Sequence, residues 1–72
     1  MAYRVGQKLD RPPEPPVGTV LRSSGPDGSF TIERDRKGWH ITGTHTRVDW
    51  RAVLSAWGPG QDGVTLTVVR LP

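Results

Sequence analysis

The sequence predicts a small α+β fold, in which an antiparallel sheet of about four strands in the order β-β-β-α-β carries one short helix packed on it. Three observations predict this class. Short segments alternate apolar and polar residues, as Phe30 and Ile32 do around Thr31, which is the pattern of a half-buried strand. Turns rich in glycine and proline separate these segments, and one further segment follows the helical period. A small, partly open barrel is the variant that the same pattern permits.

Four segments are predicted to be strands, namely residues 17–23, 29–34, 39–43 and 64–71. The first two flank a turn at residues 24–28, where proline presets φ and glycine tolerates a positive φ. The next turn, at residues 35–38, ends on Gly38, which suits a bulged hairpin. Residues 58–63 are rich in glycine and are expected to form a loop before the last strand.

The predicted helix carries its apolar residues on one face. The residues at the i, i+3, i+4 and i+7 positions are Trp50, Val53, Leu54 and Trp57. Asp49 suits the N-cap because its carboxylate can accept from the free amides of the first turn, although Thr46 with Asp49 would form a capping box one turn earlier. Gly58 is expected to end the helix in a left-handed conformation, and Pro59 prevents its continuation.

The three tryptophans are interpreted as core residues. Trp39 shares a strand face with Ile41, and the other two lie on the apolar face of the helix. The alternative is a stacking platform for bases, but such platforms lie on the sheet face opposite the helix. That face is expected to carry Thr31, Glu33, His40, Thr42, Thr65 and Thr67. One indole is expected to stay partly exposed, since a buried indole needs a partner for its N–H.

Composition divides the chain into an arm and one domain. Residues 1–16 are interpreted as an N-terminal arm with a proline-rich linker, and residues 17–72 as a single small β-rich domain. The linker RPPEPP favours extended polyproline II geometry, and a PxxP ligand is the alternative to a plain spacer. The segment before it is expected to be either a short edge strand or a disordered tail.

Small size predicts self-association. A chain of 72 residues buries only about 60% of the surface that its unfolded form exposes, and this chain has no cysteine for a stabilising disulfide. We therefore expect a homo-oligomer, with a dimer as the first expectation. In it, the apolar residues Tyr3, Val5 and Leu9 of the arm would lie along a neighbouring subunit.

The charge distribution leaves nucleic acid open as an alternative partner. The net charge is +3 at neutral pH, and the whole excess falls in residues 36–72. A nucleic-acid-binding module would use a basic surface formed by Arg34, Arg36, Lys37, Arg47 and Arg51. The excess is modest for such a protein, and Glu33 and Asp35 offset it locally, so a solvated hairpin is the favoured interpretation of residues 33–37.

No catalytic, metal or cofactor site is predicted, and the protein is not expected to be an enzyme. His40 and His45 are too few for a zinc site without help from cysteine, and both are interpreted as surface residues. Ser23 and Ser24 do not lie in a strand–turn–helix nucleophile motif. The glycine-rich stretches lack the spacing and the following lysine of a phosphate-binding loop.

The spacing of glycine, proline and tryptophan resembles that of short proteins of uncharacterised function that are common in phages of actinobacteria and in the genomes of their hosts. The resemblance extends from about Glu14 to Val69. The matching residues are Pro15, Pro16, Gly18, Gly38, Trp39, Trp50, Leu54, Gly58 and Pro59. Those proteins usually carry a second tryptophan in the first hairpin, where this chain has Phe30. The resemblance implies a phage or prophage context and brings no catalytic residues.

The expected function is therefore that of a small non-enzymatic protein-binding module. We expect a phage accessory protein that self-associates and contacts a host or phage protein. No apolar run reaches the length of a membrane span or of a signal-peptide core, so the expected location is the cytoplasm of the bacterial host, with no membrane partner.

Overall fold

The computed structural model describes residues 3–11 and 13–72. In this part of the chain it contains five strands and one short helix, which confirms the predicted α+β class. The elements are β1 (Lys8–Leu9), β2 (Val20–Gly25), β3 (Gly28–Asp35), β4 (Gly38–Ile41), α1 (Trp50–Ala56) and β5 (Thr65–Arg70). The strands form one open sheet, so the barrel variant is not adopted. β1 is the edge strand that was one of the two expectations for the N-terminal segment.

The sheet has two chemically different faces. Its strands are antiparallel throughout and follow the order β1-β5-β2-β3-β4. Side chains alternate along each strand, so this register sorts them between the faces. The face that α1 covers, called the core face below, carries the buried residues Leu9, Leu21, Ile32, Trp39, Leu66 and Val68. The opposite face, called the open face, carries polar residues that include Lys8, Arg22, Thr31, Glu33, His40 and Thr67.

One edge of the sheet is covered by the chain itself, and the other is formed by the short strand β1. At one edge, Val48 pairs with Trp39 of β4 through two backbone hydrogen bonds of 2.9 Å, so the segment that leads into the helix covers β4. At the other edge, the chain before β1 extends the pairing with β5. Gly6 N–H donates to the carbonyl of Val68 at 2.7 Å, and Val68 N–H donates to the carbonyl of Gln7 at 2.8 Å.

The segment interpreted as an arm and linker packs on the rest of the chain. Leu9 pairs with Leu66 and is buried in the core, and Pro15 is buried as well. Tyr3 packs against the core, and its hydroxyl donates to the carbonyl of Pro13 at 2.5 Å. These residues therefore share one core with residues 17–72.

The helix begins at the predicted cap but ends differently from the prediction. Asp49 is the N-cap, and its carboxylate accepts from the N–H of Ala52 at 2.9 Å. The predicted left-handed conformation of Gly58 is wrong, because its φ is not positive and Trp57 with φ −121° is the C-cap. Glycine is needed there for space, since a Cβ at Gly58 would lie 2.8 Å from Cδ1 of Leu66.

Two of the three tryptophans confirm the core interpretation. Trp39 is completely buried and Trp50 is 7% exposed, with their ring centroids 5.2 Å apart. The indole N–H of Trp39 donates to Oε2 of Glu14 at 2.8 Å. Trp57, at the end of the helix, is only half-buried and is the partly exposed indole that the sequence predicts.

Candidate binding cleft

The helix is too short to cover the core face of the sheet. Its seven residues span about 10 Å, whereas the eight residues of β3 extend for about 26 Å. Beyond the C-terminal end of the helix, apolar side chains of the core face are therefore left without a cover. The largest of them is Phe30 in β3, whose side chain is 38% exposed.

Phe30 and Trp57 both line a cleft at this place. Their ring centroids lie 6.3 Å apart and their planes meet at 88°, which is the favourable edge-to-face arrangement. The cleft has a volume of about 560 Å³ and opens to the solvent. The other apolar residues that line it are Pro26, Ile41, Ala56 and Val64. We call this feature the aromatic cleft.

Two loops in mutual contact also line the aromatic cleft. A Cβ added at Gly25, at the end of β2, would lie 2.9 Å from Cγ2 of Val64. A Cβ added at Gly63 would lie 3.3 Å from Cγ of Pro26. The β2–β3 turn and the loop that follows α1 therefore approach so closely that a Cβ at Gly25 would collide with Val64, while Gly63 is favoured by its φ of 76°.

The rim of the aromatic cleft is acidic. Asp27 lies in the β2–β3 turn and Asp62 in the opposite loop, and both line the cleft. Among the described residues, neither carboxylate lies within ion-pair distance of a basic side chain. The rest of the chain carries a net positive charge, so this rim is a local reversal of sign that a cation on a ligand could complement.

Hydrogen bonds hold the backbone of Trp57 on two sides. The hydroxyl of the buried Ser23 in β2 donates to the carbonyl of Trp57 at 2.5 Å. The N–H of Trp57 donates to the carbonyl of Val53 at 2.9 Å. The end of the helix is thereby attached to the sheet, and the cleft is formed before any ligand arrives.

Sequence reasoning missed this cleft. Periodicity assigns Phe30 to the apolar face of a strand and Trp57 to the apolar face of a helix, and both assignments are correct. What periodicity does not show is that the two faces extend past each other. The available signal is the difference in length between the short helix and the strands beneath it.

The basic residues predicted as a nucleic-acid surface fall into two groups. Arg36 and Lys37 in the β3–β4 turn and Arg51 in the helix are exposed. Arg34 and Arg47 are instead engaged within the fold. Nε of Arg34 lies 3.3 Å from Oε2 of Glu14, and its Nη1 donates to the carbonyl of Pro15. Two of the five predicted residues therefore form contacts within the chain.

Arg47 belongs to a network of charged groups on the open face. Its Nε donates to Oδ2 of Asp35 at 2.8 Å, and this hydrogen bond is the largest cause that lowers the pKa of Asp35 to about 2. His40 lies beside this pair, with Nε2 3.5 Å from Glu33 and Nδ1 3.9 Å from Asp35. The prediction of a surface His40 is wrong, since the side chains around it leave it 8% exposed. His45 is exposed, as expected.

The residues predicted to contact a neighbouring subunit differ in exposure. Leu9 is buried in the core of its own chain, and Tyr3 is half-buried. Val5 is 65% exposed and is the one of the three that presents a free apolar side chain.

The described residues were also compared with the requirements of a metal site and of a membrane span. In residues 3–11 and 13–72, no three side chains of histidine, aspartate or glutamate are placed to hold a metal ion. Over the same residues, the structure contains no helix with the length and apolar character needed to cross a bilayer.

No protein-family model, no curated protein and no solved structure matches this chain. The candidate site therefore depends on the geometry of the aromatic cleft.

Proposed function

We propose that the protein is a non-enzymatic binding module that holds an extended segment of a partner protein in the aromatic cleft. The observation that carries the proposal is the edge-to-face pair of Phe30 and Trp57, which stays open to solvent at the end of the helix. Large aromatic side chains in pockets supply most of the binding free energy at many protein interfaces. A cleft that is already formed adds little ordering cost to binding.

The polar lining favours a peptide segment over a small polar ligand. Two of the polar residues are already used within the chain, because Ser23 donates to Trp57 and Nε2 of Gln61 donates to the carbonyl of Ser55 at 3.1 Å. The carboxylates of Asp27 and Asp62 remain at the rim. They favour a partner segment with a lysine or arginine next to the apolar side chain that enters the cleft.

The biological setting of this proposal is the one that the sequence resemblance suggests. The partner would be a host or phage protein in the bacterial cytoplasm, met by a phage accessory protein. Self-association remains a separate prediction, with Val5 as its exposed apolar residue.

Selection of peptides from a random display library tests the proposal. We expect selected peptides to combine proline or aliphatic residues with a basic residue, and to change the fluorescence of the half-buried Trp57 on binding. Phe30→Ala is expected to weaken the binding of the selected peptides by about fivefold or more, since an aromatic side chain in a binding pocket contributes more than about 1 kcal/mol.

Val69→Ala is the matched control, because Val69 is 37% exposed and lies outside the lining of the cleft. Circular dichroism of both variants verifies that the fold is retained. Equal affinity of the Phe30→Ala variant and the unchanged protein, with the fold intact, would contradict the proposal.

A further inference from the structure

The open face carries a row of cationic and hydroxyl side chains that crosses four strands. Lys8 of β1 pairs with Thr67 of β5, and Thr67 pairs in turn with Arg22 of β2. Arg22 then pairs with Thr31 of β3. Their neighbours along each strand point to the core, so all four side chains lie on the open face.

A second row on the same face consists of hydroxyl residues. Thr65 of β5 pairs with Ser24 of β2, which pairs with Ser29 of β3. Hydroxyl groups of serine and threonine, together with arginine and lysine, are the side chains that contact phosphate oxygens in nucleic-acid complexes. The two rows therefore place side chains of these types next to each other on one surface, with the hydroxyl of Thr31 already donating to Oγ1 of Thr42 at 2.9 Å.

The cations of the first row have no counter-ion within the described chain. Neither Lys8 nor Arg22 lies within ion-pair distance of a carboxylate there. They flank Thr67, so two strand spacings, about 10 Å, separate their backbones. Of the acidic residues of the open face, Asp35 pairs with Arg47, whereas Glu33 accepts from Thr42 at 3.1 Å and lies 3.5 Å from His40. Neither carboxylate therefore pairs with the cations of the row.

We propose that this row holds the phosphate backbone of duplex nucleic acid, with Lys8 and Arg22 as the charged contacts. A polyanion complements the positive charge of Lys8 and Arg22. The cationic and hydroxyl side chains of the open face suit contact with a phosphate backbone rather than base stacking. Phe30 and the tryptophans all lie on the core side, so they are not available to stack bases on the open face. The row lies on the side of the sheet opposite the aromatic cleft, so the two sites are independent.

The proposal differs from the surface that the sequence predicts. None of the five basic residues of that prediction belongs to the row. Lys8 lies in the segment interpreted as an arm, and only its pairing in the sheet brings it to the same surface as Arg22.

Fluorescence anisotropy of a labelled mixed-sequence duplex of about 20 base pairs, at NaCl concentrations from about 50 to 200 mM, tests the proposal. Two phosphate contacts predict a slope of about −1.8 in log K against log salt, which is a fall in affinity of about twelvefold over this range. Lys8→Gln and Arg22→Gln should each weaken binding and reduce the steepness of the slope by about 0.9, which leaves a fall of about 3.5-fold.

Arg36→Gln and Arg51→Gln are the matched controls, since they remove one charge from exposed positions outside the row. They should leave both affinity and slope close to those of the unchanged protein.

The proposal is overturned if the duplex does not bind at about 50 mM salt, or if the controls weaken binding as much as the row variants do. Competition by polyglutamate as strong as that by unlabelled duplex would assign the row to an acidic protein instead, and would also overturn it. Circular dichroism verifies the fold of each variant, and the single substitutions at Lys8 and Arg22 give two independent readings.

Discussion

Asp35 connects three parts of the chain through one side chain. Its Oδ1 accepts from the N–H groups of Lys37 and Gly38, at 2.8 and 3.1 Å, and so closes the β3–β4 turn. Its Oδ2 accepts from Arg47, in the segment that leads to the helix. The same carboxylate thus holds the turn and the segment that covers the β4 edge, and its ion pair with Arg47 requires it to be ionised.

The pH dependence of stability should reveal this role. Hydrogen bonding to Arg47 lowers the pKa of Asp35 from 3.8 to about 2 in the folded state. A carboxyl group with a lowered folded pKa stabilises the protein above the unfolded value, and this contribution is lost as the pH falls from about 4 to about 2. Arg47→Ala should raise the pKa of Asp35 and reduce the loss of stability over that interval. Urea unfolding at several pH values, with NMR titration of the Asp35 carboxyl, measures both effects.

Asp62→Asn is the control for the acid titration, because Asp62 is exposed and lies outside the ion pairs of the described residues. Its removal should leave the acid limb of the stability profile in place. An Asp35 carboxyl that titrates at the same pH with and without Arg47 would disprove the assigned cause.

At the residue scale, the sequence predicts which apolar side chains are buried better than it predicts which residues they contact. The alternation around Trp39 shows that its ring is buried, and a buried indole needs an acceptor. The acceptor is Glu14, which lies 25 positions earlier within the proline-rich segment. No local pattern connects two residues at that separation, because their contact depends on how the whole N-terminal segment packs. The burial of His40 beside Glu33 and Asp35 escaped prediction for the same reason.

At the end of the helix, the sequence correctly marks Gly58 as the residue after which the helix cannot continue, but it predicts the wrong physical role for this glycine. Glycine after a helix commonly adopts a left-handed conformation, but Gly58 is required here because the chain that leaves α1 lies against the side chain of Leu66 in β5. A Cβ at this position would lie 2.8 Å from Cδ1 of Leu66 and 3.1 Å from the carbonyl oxygen of Val53. Both neighbours are buried, so neither can move away freely.

Gly58→Ala should therefore lower the free energy of unfolding by about 1–3 kcal/mol, the usual cost of overpacking. Substitution of a glycine destabilises the protein whether that glycine is left-handed or sterically confined. Only for a confined glycine should the additional substitution Leu66→Val in the same chain restore part of the lost stability. Thermal or urea unfolding of the single and double variants measures this coupling. Ser55→Ala, at an exposed position of the same helix, should change the stability by less than about 0.5 kcal/mol. Purely additive losses would show that crowding against Leu66 is not the cause.

At the element scale, strands with a clear alternation are predictable and short ones are not. β2 to β5 appear within a few residues of their predicted positions, because β3, β4 and β5 show the period of two and the segment of β2 is rich in β-branched residues. β1 has only two residues, too few to show any period, and the sequence left it open between a strand and a tail. Its place beside β5 is decided by Leu9, which completes the core.

The whole molecule depends on residues 3–10 more than composition suggests. Leu9 closes one end of the core over Leu66, and Tyr3 packs beside it. The pairing also brings Lys8 beside Thr67 and creates the cationic row of the open face. Both candidate surfaces, the aromatic cleft and this row, arise from tertiary placement, which is why neither could be located from the sequence.

Leu9→Ala tests whether the N-terminal segment completes the core of its own chain. A buried leucine replaced by alanine costs about 2–5 kcal/mol, and a domain of this size has a total stability of about 4–11 kcal/mol. The variant should therefore unfold at a much lower urea concentration than the unchanged protein, at every protein concentration. Val5→Ala, at a position 65% exposed, should leave the midpoint almost unchanged.

If the segment instead lay along a second copy, the midpoint would rise with protein concentration, and Leu9→Ala would reduce the mass measured by light scattering. Unfolding at two protein concentrations, combined with that mass, therefore separates a core built within one chain from a core shared between two.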